Sequence, residues 1–454
     1  MIDPEGKRLP IKLDSTSNGE FVPVPLSPAN RAANRLAHEF ASSFSTKRSL
    51  RRRSFLISAC GAASTLLALN AANAAAGKTG GYFEVSREAA LDLELARLQV
   101  GPAKQEFILD VQGHFIDTPK QNDKNADVFI KDVFMDSDTD VMVLSFVPSA
   151  RDAEPVTIQA ADAVRRMVDR LEGTHRLLLH GRVNPNQPGD LEGMDELKEK
   201  WRVSAWKTYT QYGPGGRGFF LSDDVGVRFI ENARRLGVKN ICVHKGLPFG
   251  RRSYEHSQCS DIGVVAKRFP DVNFLVYHSG FVTAVREQAY DESGTRDGID
   301  TLVTSLRKND VAPGSNVYAE LGSTWRFLMR DPEQAAHALG KLIRYCGEDN
   351  VLWGTDSIWY GSPQDQIQAF RAFQVSGDFR DRFGYAEMTP SLRAKIFGLN
   401  AAKVYGLSAE EVKRHTTQDS VAGRKQAYLE QPEPHFLTYG PKTRRQFLAL
   451  PPHA

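Results

Sequence analysis

Eight short apolar, β-branched runs, each followed by a longer stretch of helical periodicity, predict an α/β chain built as a (β/α)8 TIM barrel. Four of those runs end in His, Asp or Gln. That is where the loops after successive parallel strands converge on one pocket, so the pattern points to an enzyme. With 454 residues, 41% of them hydrophobic and 25% charged, the chain can bury a sizeable core and hold one large barrel with extensions.

The expected strands are Phe107 to Asp110, Val141 to Phe146, Arg176 to Leu179, Val203 to Trp206, Ile241 to Val243, Phe274 to Tyr277, Val317 to Ala319 and Val351 to Trp353. Amphipathic helices are expected between them, among them Ala160 to Leu171, Val225 to Leu236, Ile262 to Phe269 and Glu333 to Tyr345. Asp223 and Asp224 make an acidic helix start, and Gly237 and Gly347 stand where helices should stop. The tail from about Ser408 is polar and contains proline, which suits a wrapping extension or a flexible arm better than a domain.

The N-terminal part reads differently. Arg51-Arg52-Arg53-Ser54-Phe55-Leu56 resembles a twin-arginine export signature, and a weakly apolar stretch to Ala76 with Ala72-Asn73-Ala74 follows it. The expected organisation is therefore a leader and signal peptide over 1–76, an N-terminal arm over 77–105, the barrel over 106–407 and a C-terminal extension over 408–454. Residues before Lys47 are expected to carry no chemistry, and the protein to be exported folded to the periplasm or beyond. Thr443-Arg444-Arg445-Gln446-Phe447-Leu448 matches the export pattern too, but no apolar run follows it. Asn70, Asn73 and the many Ala and Gly residues make the run after Phe55 a poor membrane anchor. Cys242, Cys259 and Cys346 have no close spacing, so neither a disulfide framework nor a thiolate metal cluster is expected. A net charge of +3, with the basic residues clustered at the two ends, argues against nucleic acid as a partner.

The chemistry sits at the strand ends. Gln112 and His114, two apart after the first strand, share one side of an extended segment and can face one ion. The fifth strand runs into His244 and the sixth into His278, equivalent places on adjacent strands. The eighth runs into Asp356, whose carboxylate can bind a metal and also take a proton from water.

Asp110-Val111-Gln112-Gly113-His114 resembles the D-x-H-x-H opening of the amidohydrolase superfamily with its first His replaced, and Lys395-Ile396-Phe397-Gly398-Leu399-Asn400-Ala401 resembles its closing segment. The chain is similar to the amidohydrolase-related branch, which holds both hydrolases and metal-dependent decarboxylases. The resemblance implies metal ligands at Gln112, His114, His244 and Asp356, with His278 as catalytic acid/base or electrophile. It also offers Lys207, after the fourth strand, as a pocket-lining or carboxylated bridging residue. Gln112 departs from the pattern: a carboxamide oxygen is a neutral donor and a weaker one than imidazole for zinc.

The loops suggest a polar, anionic substrate. Arg182 and Asn184 follow the third strand, the glycine-rich Gly213–Gly218 loop with Arg217 follows the fourth, and Arg251, Arg252 and His256 follow the fifth. Arg182, Arg217 and His256 are the expected substrate contacts. The function expected is hydrolysis of a C–N or C–O acyl bond of a small polar molecule, with a divalent metal as cofactor, zinc first and manganese second. The alternatives are decarboxylation of an aromatic or unsaturated acid, and a non-catalytic envelope binding protein with a decayed metal site. The partners expected are the small-molecule substrate, the twin-arginine export machinery and a second copy in a homodimer, with no nucleic acid and no stable membrane anchor.

Overall fold

The computed structural model describes residues 9–101, 106–115, 125–172, 175–248, 254–417 and 420–450. Arg251 and Arg252 lie outside them. The strands are β1 (Gly81–Phe83), β2 (Leu109–Gly113), β3 (Val141–Leu144), β4 (Leu177–Arg182), β5 (Ala205–Tyr209), β6 (Asn240–His244), β7 (Asn273–Tyr277), β8 (Val317–Glu320), β9 (Val351–Leu352) and β10 (Phe373–Val375). Strands β2 to β9 pair in parallel and in sequence order, and β1 pairs antiparallel with β10 outside the barrel. The ring closes where Val111 N donates to Trp353 O (3.0 Å) and Gly113 bridges Ser357. The chain is a TIM barrel, and all eight expected strands are present.

The strands are continuous apolar runs because both of their faces are covered, as a parallel sheet requires. Leu109, Val111, Val143, Ala205, Cys242 and Leu275 meet in a cluster of buried side chains that also takes in Ala401 of the closing segment. Helices Ile158–Glu172, Asp224–Leu236, Ile262–Arg268 and Pro332–Cys346 lie where helical periodicity was read. Two of them stop at Gly237 (φ 75°) and Gly347 (φ 107°), conformations that glycine adopts without a Cβ clash. Between the strands this leaves helices on the outside and the polar strand ends gathered at one end.

The N-terminal region is folded in this structure. Helices α1 (Pro28–Lys47), α2 (Arg52–Leu56) and α3 (Ala59–Ala75) fold onto the barrel, and Phe55, Ala62, Ala63, Leu66 and Leu69 are fully buried. Small side chains let α3 be buried on most of its faces at once, so an alanine-rich sequence serves here as a packing element. Asn70 clamps the edge of β1, donating to Phe83 O (2.7 Å) and accepting from Phe83 N (2.9 Å). Among the described residues no helix is long and apolar enough to cross a membrane.

Residues before Lys47 reach the mouth of the barrel. Residues 9–26 run as an extended arm over the barrel mouth, with Leu9, Ile11 and Leu13 buried. Lys12 Nζ donates to Ser362 O (2.8 Å) and pairs with Asp365 (3.3 Å), and Asp14 pairs with Arg326 (2.5 Å). From the other end of the chain, Pro441 O accepts from Ser17 N (2.9 Å) and Thr438 Oγ1 meets Thr16 Oγ1 (2.9 Å). Both chain ends therefore meet over the mouth. The second export-like hexapeptide turns out to be a capped helical turn, Arg444–Leu448, with Thr443 and Gln446 forming a capping box.

Asp14 anchors the arm. Burial would raise its pKa, but Arg326 together with the Thr16 and Thr438 hydroxyls more than offsets this and holds it below the usual carboxylate value. A depressed folded-state pKa contributes stability that is present above the unfolded value, about 3.9, and is lost as pH falls through the folded value. The arm should stay docked at neutral pH and loosen only in acid. Asp14→Asn, which leaves Arg326 without its buried counter-charge, should cost roughly 3–5 kcal/mol of docking at neutral pH. Faster hydrogen exchange confined to residues 9–26 is the readout.

Candidate active site

The closure of the barrel builds the first half of the site. Asp356 N donates to Gln112 O (3.0 Å), His114 N to Ser357 O (2.5 Å) and Ile358 N to His114 O (3.1 Å), so the end of β2 is paired to the turn after β9. Asp110 braces this junction, accepting from Gln112 N (3.0 Å), Thr355 N (3.1 Å) and the Thr355 hydroxyl. Burial pushes its carboxyl up to about 7. Gln112 Nε2 (3.0 Å) and His114 Nε2 (3.1 Å) both reach Asp356 Oδ1, while Ser323 Oγ (2.5 Å) and Asn18 Nδ2 (2.8 Å) donate to Oδ2. Burial opposes ionisation of Asp356, yet its partners, His114 foremost, hold it well below the usual carboxylate range. Because the Gln112 amide nitrogen faces a carboxylate that only accepts, its Oε1 points away. That oxygen and His114 Nδ1 have no hydrogen-bond partner among the described residues.

The second half comes from β6 and β7. His244 Nε2 lies 3.2 Å from Leu247 O, and His278 Nδ1 lies 2.7 Å from Gly322 O. A carbonyl only accepts, so these nitrogens carry the ring protons, and the lone pairs belong to His244 Nδ1 and His278 Nε2. Both lone pairs face Glu20, at 3.4 Å and 3.7 Å. Burial keeps both rings neutral, lowering His278 to about 4. Tyr209 stacks on His244 with centroids 4.9 Å apart. The turn after β7 is held by Glu320, whose carboxylate accepts from His278 N (2.9 Å) and Gly322 N (2.6 Å) and is pushed up to about 8 by burial. Gly354 and Gly322 make room for it: a Cβ on Gly354 would stand 1.6 Å from Glu320 Oε1.

The arrangement fits a divalent ion. His244 and His278 each donate the other ring N–H to a backbone carbonyl, as metal-ligating imidazoles do. The set also offers neutral nitrogens, an unpartnered carboxamide oxygen and ionised carboxylate in one buried volume, donors suited to zinc or manganese.

A family model described as Amidohydrolase matches residues 110–407. The chain belongs to the amidohydrolase family. No curated protein matches it. Among solved structures it is similar to 2,6-dihydroxybenzoate decarboxylase from Rhizobium (16% identity, 67% of this chain and 99% of that one, TM-score 0.38). It is similar also to 4-oxalomesaconate hydratase from Rhodopseudomonas palustris (14%, 72% and 100%, 0.42). A third is a putative 2-pyrone-4,6-dicarboxylic acid hydrolase from Pseudomonas putida (13%, 67% and 98%, 0.40). At such distances these likenesses carry no argument about the reaction.

The amidohydrolase site gathers Gln112, His114, His244, His278 and Asp356, with Lys207 close by. Lys207 is fully buried, with Nζ 3.7 Å from the centre of the Tyr277 ring and no hydrogen-bond partner among the described residues, and burial lowers its pKa to about 8. Three expected substrate contacts are not part of this cluster. Arg182 is tied to Glu154 (2.5 Å) and Asp190 (3.4 Å) beside a rim cavity of about 320 Å³, which none of the site's histidines lines. Arg217 is an exposed side chain on the Pro214–Gly216 turn. The His256 ring packs on Phe220, centroids 4.6 Å apart. Each of them meets a nearer partner or solvent first.

Sequence reasoning missed Glu20, Asn18, Ser323 and Glu320. Glu320 ends β8 as the other site residues end their strands, so its signal was there to be read. Nothing in the sequence marks Glu20. Gly322→Ala should disturb the centre from behind, since the new methyl would meet Gln112 Oε1 at 2.2 Å and Glu320 Oε1 at 2.5 Å. Overpacking of this kind costs about 1–3 kcal/mol. Thermal unfolding and bound-metal content should fall together.

Proposed function

We propose that this amidohydrolase is a metal-dependent hydrolase acting on a C–N or C–O acyl bond, such as a cyclic amide, ester or lactone, of a small polar molecule. One observation carries the reading. Two neutral imidazoles, His244 and His278, aim lone pairs at one point, and Asn18 links that point to the ionised Asp356 by donating to it and to Glu20 (2.6 Å). His244 and His278, with the free oxygen of Gln112, are the groups that would hold zinc or manganese, while His114 commits its Nε2 to Asp356.

Such an ion, when bound, polarises an acyl carbonyl and acidifies a water molecule. Asp356, ionised at neutral pH, is the proton acceptor for the attacking water. Its neighbour His114 holds the carboxylate in place through Nε2. Lys207 adds positive charge to the same water-excluded volume, where developing negative charge is stabilised most strongly. His278 is reassigned from proton donor to lone-pair donor, because its N–H is committed to Gly322 O and burial resists a second proton.

Elemental analysis of the purified chain should find about one equivalent of zinc or manganese, lost in His244→Ala, as expected for a site that loses a ligand. On the metal-loaded protein, a panel of esters, lactones and cyclic amides should yield acid, and Asp356→Asn should lower kcat/KM roughly 10³-fold. Failure of the wild type to bind either metal overturns the reading. Carbon dioxide released from hydroxybenzoates, without hydrolysis of the panel, assigns a decarboxylase instead.

A further inference from the structure

We propose that Glu20 is a latency ligand: the N-terminal arm places its carboxylate on the same divalent ion as His244 and His278, closing the position that water and substrate need. The inference rests on the metal-dependent reading above and adds to it a residue that lies before the barrel.

The geometry is that of one coordination sphere. Glu20 Oε1 stands 3.4 Å from His244 Nδ1 and Oε2 stands 3.7 Å from His278 Nε2, and one ligand atom from each residue falls within 4.8 Å of the others. Two ligands about 2.0–2.1 Å from a tetrahedral zinc are themselves about 3.3–3.4 Å apart. His278 Nε2 is fully buried and has no hydrogen-bond partner among the described residues, so its lone pair faces the carboxylate with nothing bound to it. Where the family resemblance leads one to expect a His, Gln112 is uncharged. Glu20 adds a carboxyl oxygen donor beside the two imidazoles.

The arm is shaped to do this. Ser17 Oγ donates to Phe21 O (2.5 Å) and accepts from Gly19 N (3.0 Å), while Glu20 N donates to Asn18 Oδ1 (2.9 Å). This folds residues 17–21 into a turn with Glu20 at its tip. Asn18 Nδ2 then donates to Glu20 Oε2 (2.6 Å) and to Asp356 Oδ2 (2.8 Å), so one amide orients the ligand and occupies the base. With the arm in place Gln112, His114, His244, His278 and Asp356 are each at most 3% exposed. A substrate reaches them only when residues 17–21 withdraw. A closed four-ligand site is characteristic of structural zinc, and a catalytic one keeps a position open.

Cobalt(II) titration of the full chain, with absorption spectra and with lactone and ester turnover normalised to bound metal, tests this. Wild type should show intense four-coordinate bands and low turnover. Glu20→Gln, nearly isosteric, should weaken cobalt binding about tenfold, shift the bands toward higher coordination and raise turnover per metal about tenfold or more. Asp14→Asn, which loosens the arm without touching the site, should raise turnover in the same direction. Unchanged affinity and spectra in Glu20→Gln overturn the inference while leaving the metal reading intact. Loss of both affinity and turnover overturns latency and makes Glu20 a working ligand. A wild type that binds no cobalt, zinc or manganese overturns the metal reading and this inference with it.

Discussion

The pairing of β2 with the turn after β9 is the contact on which the rest depends. A barrel of eight parallel strands has no free edge only if its first and last strands meet, and here they meet through Val111 and Trp353, Gln112 and Asp356, and His114 and Ser357. The same backbone bonds set the spacing of Gln112, His114 and Asp356. Closure and active-site geometry are therefore one event, and the site cannot form in a barrel that has failed to close. Asp110 reinforces the junction from within, with three donors on a fully buried carboxyl. Loss of that brace leaves buried N–H groups unpaired in the very turn that carries Asp356.

The mouth concentrates ionisable groups in a buried volume, which makes their protonation states interdependent. Lys207, Glu320, Asp356 and Glu20 act on one another while burial works against charge on each. Asp356 stays charged because it alone gathers four donors, and Glu320 is pushed the other way although two backbone N–H groups favour its ionised form. A divalent ion would change this balance more than any side chain, since it favours deprotonation of every group that faces it.

Much of the barrel was legible in the sequence, for a physical reason. Strands covered on both faces must be apolar throughout, and the polar residues that end them must serve loops at one rim. That rule located β2 to β9 and brought Gln112, His114, His244, His278 and Asp356 to one place. The same rule covers Glu320, which directly follows the expected run Val317 to Ala319 and ends β8. Arg182, Arg217 and His256 show its limit: a position in a loop after a strand fixes the rim but not the direction of a long side chain. The packing of residues 9–76 was not legible, because an alanine-rich, weakly apolar helix has the same composition whether or not it packs against α1. Glu20 lies more than 200 residues from His244 in the chain, with no periodicity linking them.

The two parts of the molecule are held by different kinds of contact, and this decides which can move. The barrel rests on eight strands paired in parallel around a buried core, so opening any strand exposes backbone groups and apolar surface together. The arm over 9–26 contains no helix or strand. It is attached by two buried ion pairs, a few hydroxyl and amide contacts and five buried apolar side chains, Leu9, Ile11, Leu13, Phe21 and Leu26, and its C-terminal neighbour at 438–441 is attached to Trp359 O by two backbone bonds. Ion pairs of this kind return little net stability once desolvation is counted, but they fix position well. The arm is thus a low-stability unit held in one register on a high-stability scaffold. The withdrawal of Asn18 and Glu20 proposed above would leave in place the backbone closure that positions His114 and Asp356.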